Sequence, residues 1–321
     1  MQRVIDKVKE LLANGVADRV LAWKVGEFPY DRIPGVFKDD LDGLCYDSFS
    51  ACNLSKYLIN ETKKDGRVLV LMKPCDSYGV NLLIKEHRID REKIYILAVP
   101  CNCKVDIEKI KDSGIKGIID IAEEGDVLKI NTVYGQKELD RRQVLCDKCL
   151  SCQGKKHVIY DEIIEDDEQQ NIEKTDRMEA VEELEAMSPE ERFAFWRSEL
   201  SKCIRCNACR NVCPACSCNK CIFDNTDTGV AAKSNADSFE ENMFHIIRAF
   251  HVAGRCTDCG ECSRVCPQNI PLHLLNRKFI KEINELYGEF QAGEDAVTTG
   301  PLTFFTMEDA EPDVVYKKGR D

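Results

Sequence analysis

The chain has 321 residues, a formal net charge of −12 and nineteen cysteines. That length accommodates two domains with separate cores, and an acidic balance without a basic stripe excludes a nucleic-acid partner. The opening MQRVIDKVKELLANG is charged and amphipathic, and no apolar run nears the length of a bilayer span, so neither a secretory signal nor direct membrane insertion is expected. The cysteines then read as metal-binding thiolates in a reducing, cytoplasmic compartment rather than as disulfides.

From the amino terminus, the pattern predicts a helix over 3–13, with Val4, Val8, Leu11 and Leu12 on one face and Asn14-Gly15 as its stop. Strand-like runs follow at Arg19–Trp23 and Arg67–Met72. A helix from about Leu54 to Lys64, capped by Asn53 and left at Gly66, fits between them. A second helical stretch, Val80–Glu86, precedes a strand over Ile94–Val99. This alternation predicts an α/β domain with at least partly parallel strands over 1–160. Residues 127–139 read as a hairpin turning near Tyr134-Gly135. Residues 161–187 are acidic and read as a linker or solvated helix.

Ser188-Pro189-Glu190-Glu191 is a capping box that opens a mostly α-helical second domain over 188–288. Its first helix carries Phe193, Phe195, Trp196 and Leu200. A later helix presents Phe239, Met243, Phe244, Ile247 and Phe250 at mostly three- and four-residue steps. After Gly288 the helical pattern fades into a tail over 289–321. Its apolar residues Leu302, Phe304, Phe305 and Val314-Val315-Tyr316 are expected either to order on a neighbouring subunit or to fold back on the chain.

Cysteine spacing carries the chemistry. Cys203, Cys206, Cys209 and Cys213 precede Pro214, and Cys256, Cys259, Cys262 and Cys266 precede Pro267. Each run is C-x-x-C-x-x-C-x-x-x-C-P, the ligand pattern of paired 4Fe–4S clusters in which the fourth cysteine of each run serves the other cluster. The expected sets are Cys203, Cys206, Cys209 with Cys266, and Cys256, Cys259, Cys262 with Cys213. Zinc is the alternative, but it usually takes two separated C-x-x-C knuckles without a third cysteine in phase.

A third in-phase triplet, Cys146, Cys149 and Cys152, lacks a local fourth ligand. With Cys101 or Cys103 at the end of a predicted strand it reads as a third 4Fe–4S site, or as a zinc site with the same ligands. Cys216, Cys218 and Cys221 are either ligands of a fourth metal centre or spare thiols near the clusters. Cys45 and Cys52 read as small buried hydrophobes. The five histidines form no spaced pair, which disfavours histidine catalysis or ligation.

Residues 190–285, with their eight matching ligands and helical insert, resemble the α-helical ferredoxin fold. That fold occurs in succinate dehydrogenase iron–sulfur subunits and in the smaller iron–sulfur subunit of heterodisulfide reductase. The segment RVLVLMKPCDSYGVNLLIKEHRIDREKIYILAVPCNC with VLCDKCLSC resembles the beta-subunit family of coenzyme F-420-reducing hydrogenase and F-420-linked formate dehydrogenase. The resemblance implies a flavin, FAD or FMN, beside a 4Fe–4S cluster in the first domain. It implies electron exchange between a soluble two-electron carrier and other oxidoreductase subunits. Lys73, Cys75, Asp76, Ser77 and Gly79 form the candidate flavin or phosphate turn, with Ser77 as donor and Gly79 permitting close approach. A simple helix cap by Asp76 or Ser77 is the competing account. Two departures stand out: the dicluster segment follows the first domain, and G-x-G-x-x-G is absent. A flavin-free iron–sulfur conduit is the second functional reading.

Overall fold

A computed structural model describes residues 2–152, 155–164, 174–224 and 238–302. Helix α1 (Gln2–Ala13) buries Val4, Val8 and Leu11 against a mixed sheet. The sheet is built from β1 (Arg19–Val25), β2 (Arg32–Phe37), β3 (Leu44–Cys45), β4 (Val68–Met72), β5 (Ile94–Ala98) and β9 (Glu162–Ile163). Its order is β2-β1-β4-β5-β9, with β3 also on β1. β1, β4, β5 and β9 run parallel, while β2 and β3 run antiparallel to β1. Every residue of β4, VLVLM, is buried, as a central parallel strand covered on both faces requires. Pro34 lies in edge strand β2, where a missing N–H is tolerated.

Two helices differ from the sequence pattern. The expected helix over 54–64 shrinks to a 3-10 turn, Ser55–Tyr57, and α2 (Leu58–Glu61). Asn53 holds that turn rather than capping a long helix, its Oδ1 accepting from Ser55 N at 2.9 Å. Helix α3 spans Pro74–Lys85 and so begins six residues before the expected Val80. Pro74 sits in its first turn, where proline's fixed φ and absent N–H favour initiation.

Beyond α4 (Ile107–Asp112), the expected hairpin gains a strand: β6 (Ile118–Glu124), β7 (Val127–Thr132) and β8 (Gly135–Asp140) form a separate antiparallel sheet. Helix α5 (Asp147–Leu150) follows. Part of the acidic stretch is structured, since β9 joins the main sheet and α6 (Glu179–Ala186) buries Val181 and Leu184 beside Leu274. Helix α7 (Pro189–Ser201) opens with the capping box, Ser188 Oγ accepting from Glu191 N at 3.2 Å and Glu191 accepting from Ser188 N at 2.9 Å.

Helices α8 (Ala208–Val212), α9 (Ser238–Val252), α10 (Glu261–Arg264) and α11 (Leu272–Tyr287) complete the helical part. On α9 the buried face is Phe244, His245, Arg248, Ala249 and Val252, whereas Phe250 of the apolar stripe is 62 % exposed. The side chain of Phe239 lies outside the described residues. The start of the tail returns to the first domain: Asn81 Nδ2 donates to Glu294 O at 3.1 Å. A Cβ on Gly293 would lie 2.1 Å from Tyr78 O. Leu302 is exposed, and Phe304, Phe305 and Val314–Tyr316 lie outside the described residues.

Candidate iron–sulfur sites

Both cysteine runs fold as a loop followed by a short helix, and the loops share a backbone shape. Arg205 and Asn207 take φ of 53° and 61°; the matching positions Asp258 and Gly260 take 53° and 67°. Non-glycine residues rarely adopt positive φ. Alternating right- and left-handed residues turn successive N–H groups toward one concave side, a nest suited to an anionic group. Arg205 N, for example, donates to Cys203 Sγ at 3.4 Å.

The fourth cysteines cross over. Cys203, Cys206 and Cys209 ring one small cavity together with Cys266, and Cys256, Cys259 and Cys262 ring another together with Cys213. Cys213 ends α8 and Cys266 lies just beyond α10. These helices pack on each other and deliver each fourth thiol to the opposite loop. Among the described residues no three His, Cys, Asp or Glu side chains close on a point as ligands of a single ion do. Burial pushes Cys259 up to about 11 and Cys262 up to about 12, so these thiols ionise when a metal supplies the compensating charge.

Helix α9 turns polar groups toward both sets. His245 Nε2 is 3.2 Å from Cys203 Sγ, and burial together with Arg248 and Arg205 lowers its pKa to about 3, which keeps the ring neutral. Arg248 is 4 % exposed and donates to Cys209 O at 3.2 Å. Burial opposes its charge, but Cys213, Cys216, Cys262 and Cys209 surround and retain it. One guanidinium therefore stands between the two sets. Its Nε has no hydrogen-bond partner among the described residues, nor does Oδ1 of Asn276, whose Nδ2 donates to Cys262 Sγ at 3.7 Å.

Of the two candidates for the third triplet, Cys103 is the one brought to Cys146 and Cys149. Hydrogen bonds from the thiols of Cys103 and Cys146 hold Cys149 well below the usual thiol range. Lys104 N donates to Cys149 Sγ at 3.3 Å, and Lys174 Nζ lies 3.0 Å from Cys103 Sγ. Lys174 also faces Cys152. Cys101 points elsewhere, toward Tyr46 and Cys75.

This triplet abuts the second dicluster loop. Lys148, between Cys146 and Cys149, forms a buried ion pair with Glu261, which also accepts from Arg264 Nε and Nη2 at 2.8 Å each. Burial opposes ionisation of Glu261, but Arg264 and Lys148 outweigh it and hold the carboxyl well below the usual range. Arg277 bridges Asp258 and Ser151 at 2.8 Å each. A Cβ on Gly260 would lie 2.5 Å from Lys148 Cβ, so a residue without a side chain lets the loops touch.

The turn at Lys73, Cys75, Asp76, Ser77 and Gly79 lies at the start of α3. Because α3 begins at Pro74, Ser77 N bonds back to Lys73 O at 3.3 Å. Lys73 is fully buried, donating to Cys52 O at 2.7 Å and Asp76 Oδ2 at 2.9 Å over the Trp23 ring. Ser77 Oγ donates to Pro74 O at 2.6 Å. Cys75 faces Asp76 and Cys101, and a Cβ on Gly79 would meet Ser55 Oγ at 2.5 Å. Within this turn Lys73, Ser77 and Gly79 all face the protein's own groups.

Periodicity missed Lys148, His245, Arg248, Glu261 and Asn276. The available signal was the intrusion of polar residues at i and i+3 into the apolar helix α9. Cys216, Cys218 and Cys221 lie along a separate cleft of about 810 Å³.

Residues 199–270 match the 4Fe–4S dicluster domain family, so this part of the chain is an iron–sulfur dicluster domain. Across 340 residues the chain is 24 % identical to an F-420-dependent formate dehydrogenase subunit beta from Methanocaldococcus jannaschii, covering 87 % of this chain and 88 % of that one. The F-420-dependent formate dehydrogenase 1 subunit beta of Methanococcus maripaludis is also 24 % identical, covering 86 % and 87 %. The chain is homologous to F-420-dependent formate dehydrogenase beta subunits. A chain of the F-420-reducing NiFe hydrogenase complex from Methanosarcina barkeri superposes over 44 % of this chain and 55 % of its own. Its TM-score of 0.33 and 13 % identity make that match too partial to carry an argument. Among the described residues no helix is long and apolar enough to cross a membrane.

Proposed function

We propose that the chain is the iron–sulfur electron-transfer subunit of an oxidoreductase complex. It passes electrons between a soluble two-electron carrier and a hydrogenase-, formate dehydrogenase- or heterodisulfide-reductase-like partner. The observation that carries this reading is the pair of cavities, each ringed by three cysteines of one run and the fourth of the other. Bound there, 4Fe–4S clusters supply one-electron carriers at closely spaced buried positions. Cys203, Cys206, Cys209 and Cys266 hold one, and Cys256, Cys259, Cys262 and Cys213 the other. Cys146, Cys149, Cys152 and Cys103 hold a third. The α5 segment holds this third site against the second set through Lys148 and Glu261, while Arg248 and the loop N–H groups offset negative charge.

The flavin-free conduit is the second reading, and one observation speaks for it: in the turn that the family resemblance offers for FAD or FMN, Lys73 pairs with Cys52 and Asp76 and Gly79 packs on Ser55. Anaerobic purification of the native complex, with flavin extraction and iron counting, tests both statements. Co-purifying oxidoreductase subunits with iron and sulfide are expected, and an iron-free monomer would overturn the proposal. Stoichiometric FAD or FMN would overturn the flavin-free form alone. Cys213→Ser should abolish the signal of the Cys256, Cys259 and Cys262 set and spare that of the Cys203 set; loss confined to the latter would refute crossing.

A further inference from the structure

Among the twelve cysteines of the three proposed sets, Cys206 is the one exposed to solvent; the others are buried or half-buried. Its exposure is built into the loop. Arg205 and Asn207, on either side of it, take φ of 53° and 61° and are both buried, which leaves Cys206 at the crest. Arg205 lies over the Phe244 ring at 4.3 Å. Pro267, Gln268 and Asn269 follow the fourth ligand, Cys266, and are exposed as well. Asn269 N donates to Cys266 O at 3.0 Å and closes that turn. Together with Ile204, which is 60 % exposed, Cys206, Pro267 and Gln268 rim the first cavity.

The rim carries no charge, in a chain whose residues are 32 % charged. Besides the cysteines, the ionisable residues that line this cavity are Arg205 and His245, and both are buried. The cleft beside the third set differs, with Asp106, Glu108, Lys109, Asp112 and Asp147 along it. The core of a protein–protein contact is depleted of charged residues, because each would lose its water there. Chemistry at Cys206 decides what sits on the rim. A 4Fe–4S cluster exchanges single electrons, whereas a two-electron carrier delivers a hydride and needs an acceptor atom such as a flavin supplies. The group that docks over Cys206 is therefore a one-electron centre.

We infer that the rim of Ile204, Cys206, Pro267 and Gln268 is the docking face for a partner subunit that carries a one-electron centre of its own. One electron crosses between that centre and the cluster of Cys203, Cys206, Cys209 and Cys266. One of the two is oxidised as the other is reduced, and no bond or proton moves. The soluble two-electron carrier then acts elsewhere on the complex. This rests on the proposed function, but the two fail separately. An iron-free monomer sinks the function, whereas a loaded complex with this face open sinks the docking alone.

Oxidative footprinting of the native complex, isolated anaerobically, against the free iron-loaded chain reads the face directly. Ile204 and Pro267 are expected to be protected in the complex, with Ile119, 57 % exposed on β6, as the reference. Equal labelling of Ile204 and Pro267 in both states overturns the inference. Cross-links from the exposed Lys202 identify the neighbour, and a neighbour without a redox centre overturns it too. Ile204→Lys, made in the full chain, places an ammonium in the contact and is expected to weaken binding of the partner subunit about tenfold. Iron content and the paramagnetic signals of both dicluster sets should match wild type, which separates lost docking from a lost cluster. Wild-type affinity together with wild-type electron exchange overturns the inference. Should Ile204→Lys lose iron, Gln268→Lys is carried through the same measurements and decides by the same criteria.

Discussion

Replacing Glu261 by glutamine removes one charge from a buried junction and nearly preserves its shape. Glu261 is the partner of Lys148, whose side chain is 7 % exposed, and of Arg264, whose side chain is 23 % exposed; it also accepts from Asn53 N at 3.1 Å. Breaking a buried pair costs about 3–5 kcal/mol, because the surviving charge has no water to return to. Partial solvation of Arg264 screens its share, so a loss near 3 kcal/mol is expected. At about 2 °C per kcal/mol, the unfolding midpoint should fall by roughly 6 °C. Thermal unfolding at matched iron content, under anaerobic conditions, reads this directly. Lys148→Met should cost less, since Glu261 keeps Arg264. The double variant should cost about 2 kcal/mol less than the sum of the two singles, because it removes both members of the pair. Strict additivity would refute the argument. The pH window follows from the depressed carboxyl of Glu261. Its folded value lies below its unfolded one, so its contribution is complete above about pH 4.3 and is lost only as the pH falls toward the folded value. The Glu261→Gln penalty should therefore be constant between pH 6 and 8.

Arg248→Met should lower the midpoint potentials of both dicluster sites, by about 60 mV for each 1.4 kcal/mol of lost stabilisation of the reduced state, with partial rescue by lysine. Redox titration followed by paramagnetic resonance checks it, and unchanged potentials would rule out charge compensation. Cys103→Ser should remove about four irons from the chain, whereas Cys101→Ser should leave the iron content intact; the reverse result would reassign the third site. Burial and the neighbouring Arg277 lower His273 to about 4. Its neutral form thus stabilises the fold fully above its ordinary value of 6.5, and that contribution fades as acid approaches pH 4. Between pH 7 and 5 the loss is about 2 kcal/mol. His273→Gln should flatten the pH dependence of the unfolding midpoint, and an unaltered slope would exclude this residue.

What was legible in the sequence follows the range of each interaction. The cysteine runs announce themselves because cluster loops demand fixed local spacing, and Ser188–Glu191 does so because a capping box is complete within four residues. The parallel order β1-β4-β5 was readable only as a class, from buried runs such as VLVLM, because register depends on partners far along the chain. Helix α3 shows a local error of interpretation. Gly79 and the Pro-Cys-Asp sequence suggested a turn, yet Pro74 starts a helix and Lys73 finds its partners in Cys52 and Asp76. Periodicity failed most instructively on α9. The apolar stripe over Phe239–Phe250 located the helix but misassigned part of its buried face, for His245 and Arg248 turn inward while Phe250 remains exposed. Hydrophobic patterning assumes that the interior is apolar. An interior built around thiolates reverses that rule and selects buried cations and N–H donors. Polar residues that break an apolar helical face near a cysteine run are therefore informative: in α9 they mark the side that faces the sulfurs.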